Sequence, residues 1–309
     1  MNVTVAICTL NHADSLRRTL QSLTTMRVPS DLNWEVIVVD NGCTDHTTEV
    51  AREFATRLPL RLAVEPERGV ARARNRAVDL AMGDYIIWTD DDVVVDPGWL
   101  SAYSGAFKRW PDAAVFGGRI VPHFGASVPK WVTDGEAQLS DVFARRDFGE
   151  KERPLWDADG LFAPWGPSFA VRTREQREFR FNSKLGPGPG QRRRGDETDV
   201  IVRIMRSGAT GYWVPAASVA HHIRDDMLTI NYISDYYKVD GETNAYLDDG
   251  IRVAALLFGI PRWAVRQLIE AWVRFQIHRV TSPAPVWLRD LKEYSIAYGT
   301  IRYWRSPRA

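Results

Sequence analysis

The stretch Tyr85-Ile86-Ile87-Trp88-Thr89-Asp90-Asp91-Asp92 decides how the chain is read: an apolar run of strand character ends on three consecutive carboxylates. An open α/β sheet binds ligands in the crevice outside the carboxyl ends of its strands, where acids are useful. Carboxylates this close repel one another unless a cation or buried donors neutralise them, and hard oxygen ligands suit Mg²⁺ or Mn²⁺. The plainer alternative is a solvated acidic turn before a helix that Asp96 caps and Pro97 opens.

Outward from this stretch, strand and helix patterns alternate. Val3 to Cys8 is apolar and β-branched, and Asp14 can cap a helix with Leu16, Leu20 and Leu23 on one face. Glu35 to Asp40 is a second apolar run ending in an acid, and Asn41-Gly42 is a turn signal. Thr44 or Asp45 then caps a helix bearing Val50, Phe54 and Leu58. A short strand from Arg61 to Val64 follows, then a helical stripe of Val70, Ala73, Ala77 and Leu80. The order β-α-β-α-β-α-β predicts an α/β fold: a mostly parallel twisted sheet with helices on both faces. It also predicts that Thr9 to Asn11, Asp40 to Gly42 and Asp90 to Asp92 share one carboxyl edge.

Composition narrows the function. The 309 residues are 45% hydrophobic and 26% charged, ordinary for a globular protein, and a net charge of +1 excludes a strongly basic nucleic-acid binder. Two cysteines, Cys8 and Cys43, make neither a disulfide framework nor a zinc site and fit a reducing, cytoplasmic location. The opening residues Met1 to Ile7 read as a strand and carry no basic leader pattern. The longest clean apolar run, Val253 to Ile260, is far shorter than the roughly 20 residues a membrane span requires.

Several motifs together resemble those of family 2 glycosyltransferases, which have the GT-A fold. They are Ala6-Ile7-Cys8-Thr9-Leu10-Asn11, Val38-Val39-Asp40-Asn41-Gly42-Cys43-Thr44-Asp45, Gly69 through Ala73-Arg74-Asn75, and Gly83-Asp84-Tyr85-Ile86 into Asp90-Asp91-Asp92. They occur in the family's order and at its approximate spacing, over about the first two thirds of the chain. The resemblance implies that Thr9, Asn11 and Asp40, with Gly42 at the turn, line the base and ribose pocket. It implies that Arg68 and Arg74 approach the diphosphate or base, as the bidentate guanidinium fork suits. Asp90 and Asp92 match the Asp-x-Asp motif, Asp92 being the expected direct metal ligand and Asp91 a donor contact. Cys43 stands where the family usually has Ser.

The second half carries a further cluster. Gly195-Asp196-Glu197-Thr198-Asp199 opens a helix, where acids are often simply stabilised by the helix dipole. The resemblance makes Asp196 and Glu197 the catalytic pair in reversed order, with Glu197 the expected general base and Asp196 the alternative. The preceding run from Leu185 to Arg194, rich in glycine, proline and arginine, reads either as an exposed linker or as a lid whose arginines meet the diphosphate. Trp213 to His221 resembles the strand ending in a histidine near the metal, with adjacent His222 a competitor for that role. Trp131, Trp156 and Trp165 are either core or sugar-stacking platforms, and Pro167 and Ser168 depart from the family's pattern after Gly166.

These readings divide the chain into a nucleotide-sugar-binding half (1–122), an acceptor and catalytic-base half of the same domain (123–224) and a carboxyl-terminal helical extension (225–309). In the extension, Val265, Leu268, Trp272 and Phe275 form a stripe beside Arg262, Arg266 and Arg274, an amphipathic pattern suited to covering the core or to peripheral contact with a membrane. The expected activity is inverting transfer of a sugar from a nucleotide-diphosphate sugar to a hydroxyl of a glycan, lipid-linked or protein-linked acceptor, with Mn²⁺ or Mg²⁺. Asp40 is compatible with uridine, guanosine or thymidine donors alike. A sugar-phosphate nucleotidyltransferase is disfavoured because Thr9-Leu10-Asn11-His12 replaces a glycine-rich loop. A catalytically silent nucleotide-sugar-binding scaffold is disfavoured by the acidic pair.

Overall fold

The computed structural model describes residues 1–248, 256–257 and 259–306; half of the apolar run from Val253 to Ile260 lies outside them. The described residues form two compact units. One comprises residues 1–123, 144–191 and 195–222, the other 124–143, 192–194 and 223 onward.

In the first unit the alternation is realised as β1 (Asn2–Thr9), α1 (Ala13–Leu23), β2 (Asn33–Asp40), α2 (Thr47–Phe54), β3 (Leu60–Val64), α3 (Val70–Leu80) and β4 (Tyr85–Trp88). Strand β5 (Val93–Val95) and helix α4 (Trp99–Arg109) follow, then β6 (Ala113–Phe124). Between Arg153 and Leu161 lie the two-residue strands β7 (Arg153–Pro154), β8 (Trp156–Asp157) and β9 (Gly160–Leu161). Strand β10 (Phe169–Arg172), helices α6 (Thr173–Glu178) and α7 (Asp196–Arg206), and β11 (Thr210–Ile223) complete the unit.

Among the described residues the main sheet has nine strands, eight of them in the order β3-β2-β1-β4-β10-β6-β11-β5, with β7 pairing β11. From β3 to β4 the pairing is parallel; β10 then enters antiparallel to both β4 and β6. Side-chain alternation explains the layers. Val3, Val5 and Ile7 of β1 and Val36 and Val38 of β2 face Leu16, Leu20 and Leu23 of α1. Ala6, Ile37 and Val39 face the opposite way, onto Ala73 and Ala77 of α3. This central sheet is apolar on both faces because helices cover both.

Three helix starts differ from expectation: α1 begins at Ala13, with Asp14 inside its first turn, α2 at Thr47, and α4 later than Pro97. A strand, β5, intervenes after the acidic triplet, and α4 begins at Trp99 rather than at Pro97. Asp96 instead closes the turn, its Oδ1 accepting from the Gly98 N–H at 2.7 Å. Asp45 ties two helix starts together, accepting from Thr47 N–H at 3.1 Å and Ala13 N–H at 3.3 Å.

The second unit holds the short helix α5 (Lys130–Asp134), then α8 (Ile230–Leu247), the strand pair β12 (Leu256–Leu257) and β13 (Ile260–Pro261), α9 (Arg262–Thr281) and α10 (Ala284–Arg305). Helix α10 packs on both α8 and α9. Gly241 and Gly299 let α8 and α10 approach to backbone contact, since a Cβ on either would meet the carbonyl of Ile296 or Lys238. The expected stripe of α9 is split: Phe275 is buried, whereas Trp272 faces outward. Among the described residues no helix is long and apolar enough to cross a membrane.

Candidate active site

The carboxyl edge of the parallel strands opens into a cavity of about 600 Å³. Thr9, Arg68, Asp90, Asp91 and Asp92 line it, as the sequence suggests, together with Pro187 to Pro189 of the glycine-rich loop and with Cys8, His12 and Asn41, which were not expected as site residues. Cys8 and Cys43 are free thiols. Burial pushes the Cys8 thiol up to about 12, so it faces the cavity as a neutral group.

Asp40 is turned into its own loop. Its Oδ1 accepts from the N–H groups of Gly42 and Cys43 at 2.9 and 2.7 Å, and its Oδ2 from the Thr48 hydroxyl at 2.6 Å. Burial alone would raise its pKa, but these donors outweigh it and hold the carboxyl below its usual range. Gly42 adopts φ +90°, a conformation L side chains rarely take, which aims its N–H at that carboxylate. Asn11 shares the left-handed region at φ 56° and accepts from Thr44 N–H at 2.7 Å. Asp40, Asn11 and Gly42 therefore belong to one hydrogen-bonded pair of turns at the strand ends. The Cys43 sulfur accepts the Asn11 N–H at 3.3 Å, a polar position that a serine hydroxyl would also fill.

Arg74 is the hub of the site. Its buried guanidinium donates from Nη1 to Asp196 Oδ2 at 2.5 Å and to Glu197 Oε2 at 3.3 Å, and Nη2 stands 3.6 Å from Asp90 Oδ1. Burial would discharge it, but the three carboxylates more than offset this and hold it charged. The same burial divides the acids. Asp196 is raised to about 7 by burial, with Arg74 opposing and Glu197 reinforcing. Glu197, which burial would also raise, is held below its usual range by Arg74 and by a hydrogen bond from Asp196. Of the two, Asp196 is the acid disposed to hold a proton near neutrality and Glu197 the one disposed to be ionised. Arg74 is thus committed to the acids, and Arg68, which donates to Gly42 O at 3.2 Å, is the arginine exposed at the cavity.

On the neighbouring strand, His221 Nε2 lies 3.5 Å from Asp92 Oδ2. Alternation along β11 sends His222 the other way, its ring 4.7 Å from that of His123, with burial first and then His123 and Arg18 lowering its pKa. His221 is therefore the histidine beside the acidic triplet. Asp90 is raised to about 7 by burial, opposed by Arg74 and reinforced by Asp92 and Glu197. Among the described residues no three His, Cys, Asp or Glu side chains already stand in a metal-holding group. A pairing unforeseen from sequence joins His12 Nδ1 to both oxygens of Asp91 at 3.1 and 3.2 Å.

The glycine-rich loop is packed against the site. Pro187 O accepts from Val70 N–H at 3.0 Å, and a Cβ at Gly186 would run into Val70 and come within 2.9 Å of Asp196. Two of its arginines lie over aromatic rings, Arg193 4.1 Å from the Tyr246 ring and Arg194 3.8 Å from that of Tyr236. Gly166 forms a wall, where a Cβ would sit 3.0 Å from Asp90 Oδ2. The departures beside it are structural, since Ser168 bonds Tyr103, Trp99 and Ala217 in the interior. Of the three tryptophans, Trp165 is covered by Arg146 and Trp131 packs on Trp287, leaving Trp156 exposed.

Comparison with known proteins bears on the family and the fold. The profile described as Glycosyl transferase family 2 matches residues 4–174. The succinoglycan biosynthesis protein ExoM of Rhizobium meliloti is 24% identical over 250 residues, covering 80% of this chain and 75% of its own. The chain spans 42 to 49% of the length of three further relatives, two from Haloferax volcanii and one from Mycobacterium tuberculosis. Staphylococcus aureus TarS in complex with UDP superposes with a TM-score of 0.58 at 15% identity, over 100% of this chain and 93% of that one. The mannosyltransferase PcManGT of Pyrobaculum calidifontis, in complex with GDP-Man and Mn²⁺, gives 0.60 at 17% identity, over 97% and 86%. At these identities the structural likeness shows the fold, that of GT-A glycosyltransferases.

Proposed function

The chain belongs to glycosyl transferase family 2, and from that premise we propose that this glycosyltransferase inverts the anomeric centre of a nucleotide-diphosphate sugar as it transfers the sugar to a hydroxyl of a glycan acceptor. The observation that carries the reading is the gathering of Asp90, Asp196 and Glu197 by one buried arginine at the cavity's edge.

Glu197, ionised beside Arg74, takes the proton of the acceptor hydroxyl as that oxygen bonds to the anomeric carbon. The bond from that carbon to the diphosphate oxygen breaks from the opposite face, and its electron pair leaves with the diphosphate. General-base help of this kind is worth roughly 10² to 10⁴ in rate. Asp196 keeps its own proton and donates a hydrogen bond that orients Glu197. Arg68, exposed on the cavity, approaches the diphosphate.

The residues fit a hard divalent ion. Asp90 and Asp92 offer carboxylate oxygens and His221 an imidazole nitrogen, and the upward shift of Asp90, from burial first and then from Asp92 and Glu197, is one that a bound cation would oppose. Those three would hold Mn²⁺ or Mg²⁺, which when bound supplies positive charge against the departing diphosphate. The complex of PcManGT with Mn²⁺ supports this assignment by likeness. The acceptor is read as a polysaccharide or lipid-linked glycan, in keeping with the succinoglycan role named for ExoM, and the carboxyl-terminal helices as a peripheral membrane contact. The intact acidic pair speaks against a silent scaffold.

A thermal-shift screen of UDP, GDP and dTDP sugars, each with Mn²⁺, Mg²⁺ or EDTA, tests the donor and metal, because a ligand bound only to the native state raises the midpoint. One nucleotide shifting the midpoint only with metal supports the reading; no shift with any combination counts against it. The anomeric configuration of the product, read by NMR, tests inversion.

A further inference from the structure

Helix α9 carries an apolar surface that nothing among the described residues covers. Its inner side, Ala264, Ala271 and Phe275, is buried, and Arg274 and His278 pair with Asp290 of α10. On the outer side Trp263, Ile269, Trp272, Val273, Ile277 and Val280 expose between 43 and 83% of their surface. Ile269, Val273, Ile277 and Val280 follow one another at helical spacing, so they make a continuous ridge, with the two tryptophans on its flanks. Scattered exposed hydrophobics are ordinary, but a contiguous ridge marks a surface with a partner.

The charges around the ridge say which partner. Exposed Arg262 and Arg266 stand at its amino end and exposed Arg279 at its carboxyl end, and the outward carboxylate of α9, Glu270, is already paired with Arg266 at 2.7 Å. A second copy meeting this face about a two-fold axis would bring arginine onto arginine whether the helices ran parallel or antiparallel. An anionic surface meets no such conflict. A helix of 20 residues lying flat spans about 30 Å, with tryptophans at headgroup depth and arginines reaching back to the phosphates.

We propose that the outward face of α9 is the docking surface for an anionic lipid bilayer. It rests on the peripheral-membrane reading of the carboxyl-terminal helices and assigns the contact to one face. That face differs from the stripe the periodicity suggests, because Phe275 and the side of α9 it occupies are spent on α10.

The test is co-sedimentation of the full chain with vesicles of equal parts phosphatidylglycerol and phosphatidylcholine, and with phosphatidylcholine alone. The unaltered chain is expected to sediment with the anionic vesicles only. Val273→Glu with Ile277→Glu is expected to reduce binding at least about tenfold, while Met82→Glu, which alters an exposed residue of the first unit, leaves it unchanged. Circular dichroism and the melting midpoint show that each variant is folded. Binding retained by the double variant overturns the assignment to α9 and leaves the membrane reading standing. No binding by the unaltered chain overturns both. A dimer seen by light scattering, dispersed by the same double variant, overturns the proposal in favour of a second copy.

Discussion

Arg74 and Asp196 stand 122 positions apart in the chain, yet Nη1 of one donates to Oδ2 of the other at 2.5 Å with both side chains buried. The arginine that joins them also reaches Glu197 and Asp90, so three carboxylates depend on one cation. Removing it strands buried negative charge. Arg74→Met should therefore lower stability by about 3 kcal/mol in urea unfolding at neutral pH. Arg74→Met with Glu197→Gln should recover part of that loss, because the second change removes the stranded charge of the acid held in its ionised form. A double variant no more stable than Arg74→Met would show that the arginine does not hold the cluster together.

The division of labour between the two acids is separable by kinetics. Glu197→Gln should reduce kcat by roughly 10² to 10⁴ while donor affinity stays near normal. Asp196→Asn keeps a hydrogen-bond donor beside Glu197, and since Asp196 already holds a proton near neutrality it should cost far less. If the Asn variant proved the more severe, the roles would be exchanged.

How much of this could be read beforehand follows from the range of each interaction. The parallel strands and the acidic edge were legible because periodicity and strand-end placement are local properties, and the wound topology carries them to one edge. The site's internal wiring was not. Arg74 pairs across 122 residues and His12 across 79, distances over which no spacing rule operates. Asp40 is ambiguous for a different reason: a strand-end acid looks the same in sequence whether or not it also holds its own turn, and only the structure shows the Gly42, Cys43 and Thr48 bonds. Helix α9 is apolar on two sides, so its period cannot say which side α10 takes.

In the second unit, Asp240 offers a test of pH-dependent stability away from the catalytic acids. Burial, aided by Asp141 and opposed by Arg194 and Lys292, raises its pKa to about 6. The folded state therefore holds this proton at pH values where the unfolded chain has lost it. In that window, from about 4 to about 6, the native state binds more protons and stability falls as pH rises. Asp240→Asn should leave stability near pH 4 unchanged and raise it at pH 7.5 by on the order of 2 kcal/mol. Guanidinium unfolding at the two pH values measures the difference. Equal effects at both would mean that Asp240 does not titrate in this range.

Metal dependence can be assigned to particular side chains because adjacent histidines point in opposite directions. His221 lies 3.5 Å from Asp92, whereas the His222 ring packs against His123. Asp92→Asn removes a charge from the carboxylate nearest His221 and should weaken Mn²⁺-dependent donor binding by about tenfold or more, while metal-free nucleotide binding changes little. His221→Ala should act in the same direction and more weakly, since one neutral ligand is lost. His222→Ala should leave metal dependence as it is, because its ring takes no part on that side. Isothermal titration of the nucleotide with and without Mn²⁺ separates these cases. A His222 variant that lost metal dependence while the His221 variant kept it would move the site to the other face of β11.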